Sequence, residues 1–252
     1  MRSTLEAFLS VIEELRIFVN SIEPVYSALV RNRNTMIRKC LNVRRRLDYA
    51  AFVVALYAAF EKFVEDLAWS HAELEASRNK YDELSEKLRE THLRGSAELL
   101  RARLGEGRYT GIGHIDIVNN LYACLAGKEA YKLNRYAVIH HDLNLRSDVV
   151  QGIFTSLGIE NVNALARQTE PMLICFSEGE GREIASVGEI PEKLIGLRIE
   201  DTVGRRNQVS HSGGDLGESL APDGMYERLA FFEAYSRSLF IRGYLDLSLP
   251  VL

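Results

Sequence analysis

Leu47-Asp48-Tyr49-Ala50-Ala51-Phe52-Val53-Val54-Ala55-Leu56-Tyr57-Ala58-Ala59-Phe60-Glu61-Lys62-Phe63-Val64-Glu65-Asp66-Leu67 is apolar on nearly every side of a helix. A helix that is polar along one side lies at a surface, whereas one that is apolar all round sits among other helices. The stretch therefore reads as the central helix of a bundle, and its alanines let neighbouring helices approach closely. Glu61 is the carboxylate embedded in its apolar part, and a polar group placed there needs a partner. Two roles stand open for it: a structural pair with a Lys or Arg, or the orientation of a functional side chain.

Immediately upstream the character changes. Residues 31–46 carry seven basic side chains (Arg31, Arg33, Arg38, Lys39, Arg44, Arg45, Arg46) and no acid. A charge run of this kind is either a solvated helix face or a track for phosphates, which Lys and Arg hold without reading bases. The lack of any acid tilts the reading towards phosphate, with Arg38, Lys39, Arg44, Arg45 and Arg46 as the contacts. Before this run, Ser3 or Thr4 can cap a first helix whose apolar face is Leu5, Phe8, Leu9, Ile12, Leu15 and Val19. Pro24 is expected to kink or end it.

Downstream, residues 71–103 are highly charged with scattered leucines, which predicts a long helix or hairpin pair, largely solvated. Four glycines (Gly105, Gly107, Gly111, Gly113) then mark a loop that lacks the strand-then-helix setting and the Gly-Lys-Ser/Thr of a phosphate loop. A helix from His114 stops at Gly127, and another from Ser147 stops at Gly158. A short helix follows over residues 159–168. Residues 173–176 and 184–187 could make a small hairpin, and Pro191 opens a further helix. The last helix covers residues 225–247. His140-His141-Asp142 has the look of metal ligands, but sequence neighbours rarely converge on one ion and no other His or Cys sits at ligand spacing. No metal and no cofactor is expected. The reading is an all-α helical bundle with a long charged helical arm and at most a small hairpin. It is one domain over residues 1–252, with residues 72–105 as the charged extension.

Composition limits what this bundle does. With 252 residues and 46% hydrophobic content the chain can bury a large core. Its formal net charge is −4, so nucleic-acid binding must rest on a local patch. Three separated cysteines, Cys40, Cys124 and Cys175, without a CxxC fit a reducing compartment. The acid-interrupted N-terminus is no signal peptide and no apolar run of about 18 residues is present, so a cytoplasmic protein with no membrane partner is expected.

The chemistry concentrates in Val203-Gly204-Arg205-Arg206-Asn207-Gln208-Val209-Ser210-His211-Ser212-Gly213-Gly214. Arg206 is permanently charged and offers a planar fork suited to phosphate. His211 exchanges a proton near neutral pH. A cation that holds a phosphodiester beside a proton carrier is the minimal kit for cutting RNA without a metal. The competing reading is a helix end with a solvated arginine and a histidine placed favourably near the C-terminal dipole. Positions five apart lie about 140° apart around a straight helix, so Arg206 and His211 converge only if the helix frays from Ser210 onwards or two subunits share a site. Asn207 and His211, four apart, share a face. Arg205, Ser210 and Glu61 are supporting candidates.

Together, three stretches make the chain resemble the HEPN superfamily of all-helical domains, in particular its RiboL-PSP-like branch. They are Arg206-Asn207-Gln208-Val209-Ser210-His211, an Arg-x4-His element with Asn after the Arg, then residues 56–64, and then Asn144-Leu145-Arg146 with Leu157-Gly158-Ile159. The resemblance implies a metal-independent endoribonuclease, often a toxin or antiviral effector, whose site is completed by dimerisation. By position it makes Arg206 and His211 catalytic and Asn207 supporting. The partners implied are RNA, a second copy of the chain, and an antitoxin or defence-system component. The alternative is a non-catalytic helical module of the same kind that binds RNA or protein and dimerises.

Overall fold

The computed structural model describes residues 1–31, 33–105, 112–139, 144–180, 184, 187–191, 193–211 and 222–248. Among them every regular element is helical and no strand occurs. In chain order the helices are α1 (Arg2–Arg31), α2 (Thr35–Arg78), α3 (Glu86–Gly105), α4 (His114–Leu125), α5 (Arg135–Ile139), α6 (Ser147–Ser156), α7 (Val162–Arg167), α8 (Glu170–Glu180), α9 (Leu194–His211) and α10 (Pro222–Ser248). Two 3₁₀ turns, Tyr81–Glu83 and Val187–Glu189, complete the set.

Local chemistry explains several boundaries. The Asn34 side-chain oxygen accepts hydrogen bonds from the Met36 and Ile37 amides at 2.9 and 3.2 Å, capping α2 at its start. Helices α4 and α6 end at Gly127 and Gly158, whose φ angles of 61° and 91° suit glycine. Pro24 does not end α1, which continues to Arg31. Tyr26, just beyond the proline, sits under the Arg45 guanidinium at 6.0 Å. The small hairpin does not form either, since residues 173–176 lie within α8. Met172 and Phe176, four apart, are buried while Ile174 is exposed, which is helical and not alternating periodicity.

The chain divides into two compact units. One comprises Met1, residues 64–162 and residues 242–252, and the other residues 2–63 and 163–241. In the first, α3 packs against α4, α5 and α6. The charged segment expected as an extension is helical and buries one row of its own: Leu88, His92, Ser96, Leu99 and Ala102. Gly95 is required there, because a Cβ at this position would run into the carbonyl of Ala137 on α5. His92 is buried and fully engaged. Its Nε2 accepts from the Asn134 amide at 2.9 Å, so Nδ1 carries the proton and faces the Tyr81 hydroxyl at 3.2 Å.

The second unit holds the aromatic core. Phe60 of α2 lies 4.7 Å from Phe232 and 5.9 Å from Tyr235 of α10, and Phe63 lies 4.9 Å from Phe8 of α1. Ile195, Ile199, Thr202 and Val203 form the buried face of α9. This face sets the rotation of α9 and hence where its arginines point.

Candidate functional site

The site is built on α9 and the first part of α2, both within residues 2–63 and 163–241. One turn beyond the buried Val203, the side chains of Arg205, Arg206 and Asn207 are half-buried. The Arg206 guanidinium stands 5.1 Å from the centre of the Tyr57 ring, a cation–π contact, and donates to the Asn207 side-chain oxygen at 3.2 Å. Tyr57 is almost wholly buried, and its hydroxyl donates to Glu61 Oε1 at 2.8 Å. Glu61 thus reaches Arg206 through the tyrosine: the carboxylate orients the ring and the ring supports the guanidinium.

Arg205 points elsewhere. It donates to both oxygens of Asp201 at 3.0 and 3.2 Å and to the Tyr49 hydroxyl at 3.2 Å. Asp201 also accepts from Arg228 of α10, whose side chain is buried. Burial works against the charge on Arg205, but the Tyr49 oxygen and the Asp201 carboxylate outweigh it and hold its pKa above the ordinary arginine value. Burial likewise raises the Tyr49 phenol, with Arg205 opposing the shift. Arg205 therefore anchors α9, while Arg206, equally half-buried, lies against Tyr57.

His211 is the exposed last residue of α9. The helix does not fray at Ser210, whose hydroxyl donates to the Arg206 carbonyl at 3.1 Å. On one unbroken helix Arg206 and His211 diverge by about 140°, while Asn207 and His211 share a side. Residues 212–214 lie outside the described residues, as do His140, His141 and Asp142.

Of the basic run, Arg38, Lys39, Arg44 and Arg46 are exposed on α2, while Arg45 is half-buried over Tyr26. Arg44 is paired with Asp48 at 3.5 Å. At about 100° per residue these side chains fall in separate lines, Arg38 with Arg45, Lys39 with Arg46, and Arg44 on the opposite edge from Lys39. Among the described residues no group of three His, Cys, Asp or Glu side chains is placed to hold a metal. No described helix is long and apolar enough to cross a membrane.

Sequence reasoning missed Tyr57, Tyr49, Asp201 and Arg228. Two of these left a trace as helical i,i+4 polar pairs, Tyr57 with Glu61 and Asp201 with Arg205. The contacts that join α2, α9 and α10 left none.

The described residues are all-helical, and α9 carries the Arg-x4-His segment from Arg206 to His211. The family described as RiboL-PSP-HEPN matches residues 6–242, and the chain belongs to it. No curated protein matches the chain, and no solved structure does.

Proposed function

We propose that this protein is a metal-independent endoribonuclease of the Arg-x4-His type, acting in the cytoplasm as a toxin or antiviral effector. The observation that carries the reading is Arg206, held half-exposed by the Tyr57 ring and Asn207 on the helix that ends in exposed His211. The 2'-hydroxyl of a ribose attacks the adjacent phosphorus, and the 5'-oxygen leaves. The products are a 2',3'-cyclic phosphate and a 5'-hydroxyl. Arg206 stabilises the charge that builds on the phosphoryl oxygens. His211 moves a proton, as base on the 2'-hydroxyl or acid on the leaving oxygen, a role worth roughly 10²–10⁴-fold in rate. Asn207, on the same side of the helix as His211, holds His211 or a phosphate oxygen by hydrogen bonds. Each chain supplies one such histidine, so a two-fold pair of chains provides base and acid together. Arg38, Lys39, Arg44, Arg45 and Arg46 form the phosphate approach.

The test is purified wild type and His211→Ala incubated with mixed RNAs in EDTA, followed by end-group analysis. Wild type should yield cyclic phosphate ends, and His211→Ala should yield none while melting at the wild-type temperature, because His211 is exposed. Wild-type cleavage that required Mg²⁺ would overturn the mechanism. A second reading, a non-catalytic RNA- or protein-binding dimerisation module, is favoured by the divergence of Arg206 and His211 on an unfrayed helix. Under it, both proteins bind RNA and neither cuts.

A further inference from the structure

Helix α2 has a second apolar face that the domain does not use. Tyr49, Phe52, Val53 and Leu56 point into the core. On the opposite side Met36, Val43, Leu47 and Val54 are exposed, at 67%, 46%, 63% and 41%, and Cys40 is exposed between them. Their spacings alternate between four and three, with half-buried Ala50 filling the gap between Leu47 and Val54. That alternation is the period of a helix–helix seam, in which apolar knobs of one helix enter holes on another. Exposed Ala51, Ala55 and Ala58 keep the far end of the seam low enough for close approach.

The borders of the seam select the occupant. The charged positions flanking its first turns are Lys39, Arg44 and Arg46, all basic and exposed; Arg44 also pairs with Asp48, and Ile37 is an exposed apolar flank in line with it. Flanking charges decide partner choice in such pairs. A second copy would set these cations against one another in either orientation, so pairing of copies uses a different face. RNA would leave the apolar row without contacts, and the exposed row holds no aromatic side chain on which bases stack. The same lack of aromatics, and the narrowness of the row, set it apart from the broad face of a membrane-surface helix.

We infer that the α2 seam from Met36 to Val54 is a docking site for an amphipathic helix of another protein, one with Leu- or Ile-type residues on its inward positions and Glu or Asp on its borders. Such a helix would neutralise the cations assigned above to the RNA approach. That regulatory consequence rests on the nuclease reading; the docking itself does not.

The test uses the full chain and a synthetic three-heptad helical peptide, Leu/Ile inside and Glu on the flanks, against the same peptide with Lys on the flanks. Binding is read by fluorescence anisotropy and by protection of Cys40 from alkylation, located by mass spectrometry. The Glu peptide should bind about tenfold tighter, as expected when Lys39 and Arg46 attract its flanks and repel those of the Lys peptide, and should shield Cys40. Val43→Glu with Leu47→Glu should abolish binding with unchanged circular dichroism, and Lys39→Glu with Arg46→Glu should reverse the preference. Equal binding of both peptides, or none, overturns the inference. So does a wild-type dimer that Leu47→Glu dissociates, or binding to a short RNA or to phosphatidylserine vesicles that Leu47→Glu abolishes. Because no cleavage is read, the His211→Ala protein serves equally well, and failure here is separable from failure of the nuclease reading.

Discussion

The hydroxyl and the ring of Tyr57 report on different things. Its hydroxyl holds Glu61 at 2.8 Å and its ring carries Arg206 at 5.1 Å. Tyr57→Phe keeps the ring and costs one hydrogen bond, about 1 kcal/mol of stability. Tyr57→Leu removes the cation–π contact, about 0.5–2 kcal/mol, and leaves the guanidinium without the ring that positions it. In single-turnover RNA cleavage Tyr57→Leu should therefore be slower by roughly 3- to 30-fold, and Tyr57→Phe by less. Wild-type rates for Tyr57→Leu would show that the ring does not position Arg206. Asp201 is a second pivot, since Arg205 and buried Arg228 both donate to it. Asp201→Asn leaves Arg228 buried without its counter-charge. Asp201 itself is partly exposed, which softens the cost to roughly 1–3 kcal/mol, measurable by denaturant titration.

At the level of the element, α3 shows how one position governs a packing distance. Its backbone meets the Ala137 carbonyl of α5 directly at Gly95, with no room for a methyl group. Gly95→Ala gains helix propensity but forces the two helices apart. Overpacking of this kind costs about 1–3 kcal/mol, more than the propensity gain of about 1 kcal/mol. A lower melting temperature is expected for Gly95→Ala, with an unchanged helical signal. Gly152 on α6 is the control, since a methyl there meets nothing, and Gly152→Ala should be neutral or stabilising.

The molecule as a whole is set up to lose stability in acid. His71 and His92 are both buried, and burial lowers each from 6.5 to about 4. His71 carries the heavier burden, because neither ring nitrogen has a hydrogen-bond partner among the described residues. Both histidines stay neutral in the folded chain, whereas the unfolded chain protonates them below 6.5. Their stabilising contribution is complete above that pH and is lost as pH falls towards 4, at about 1.4 kcal/mol per pH unit for each group. Glu233, pulled down by Arg237 and Arg16 against the effect of its own burial, acts in the same direction at lower pH. Thermal melts should be level from pH 8 to 7 and fall ever more steeply from 6.5 to 4. A melting temperature constant from pH 7 to 5 would contradict the burial of both rings.

Most helix positions and the all-α class were legible because periodicity, caps and glycine stops act over a few residues, but the reading of α2 as enclosed on every side was not met, since Leu47 and Val54 are exposed. Asn34, Gly127 and Gly158 do their work within one turn of themselves. The family resemblance was carried by three short stretches taken in order, residues 56–64, 144–159 and 206–211, and the family match covers residues 6–242. What the tertiary structure alone decided is what holds each arginine. In the sequence only the Arg-x4-His spacing separates Arg206 from Arg205. The buried face of α9 turns one towards Asp201 and Tyr49 and the other onto Tyr57, a distinction made by residues about 150 positions away in the chain. The same holds for the two apolar faces of α2, which composition cannot tell apart. One is filled by the aromatic core and the other stays exposed, because only packing determines which side of a helix is already taken.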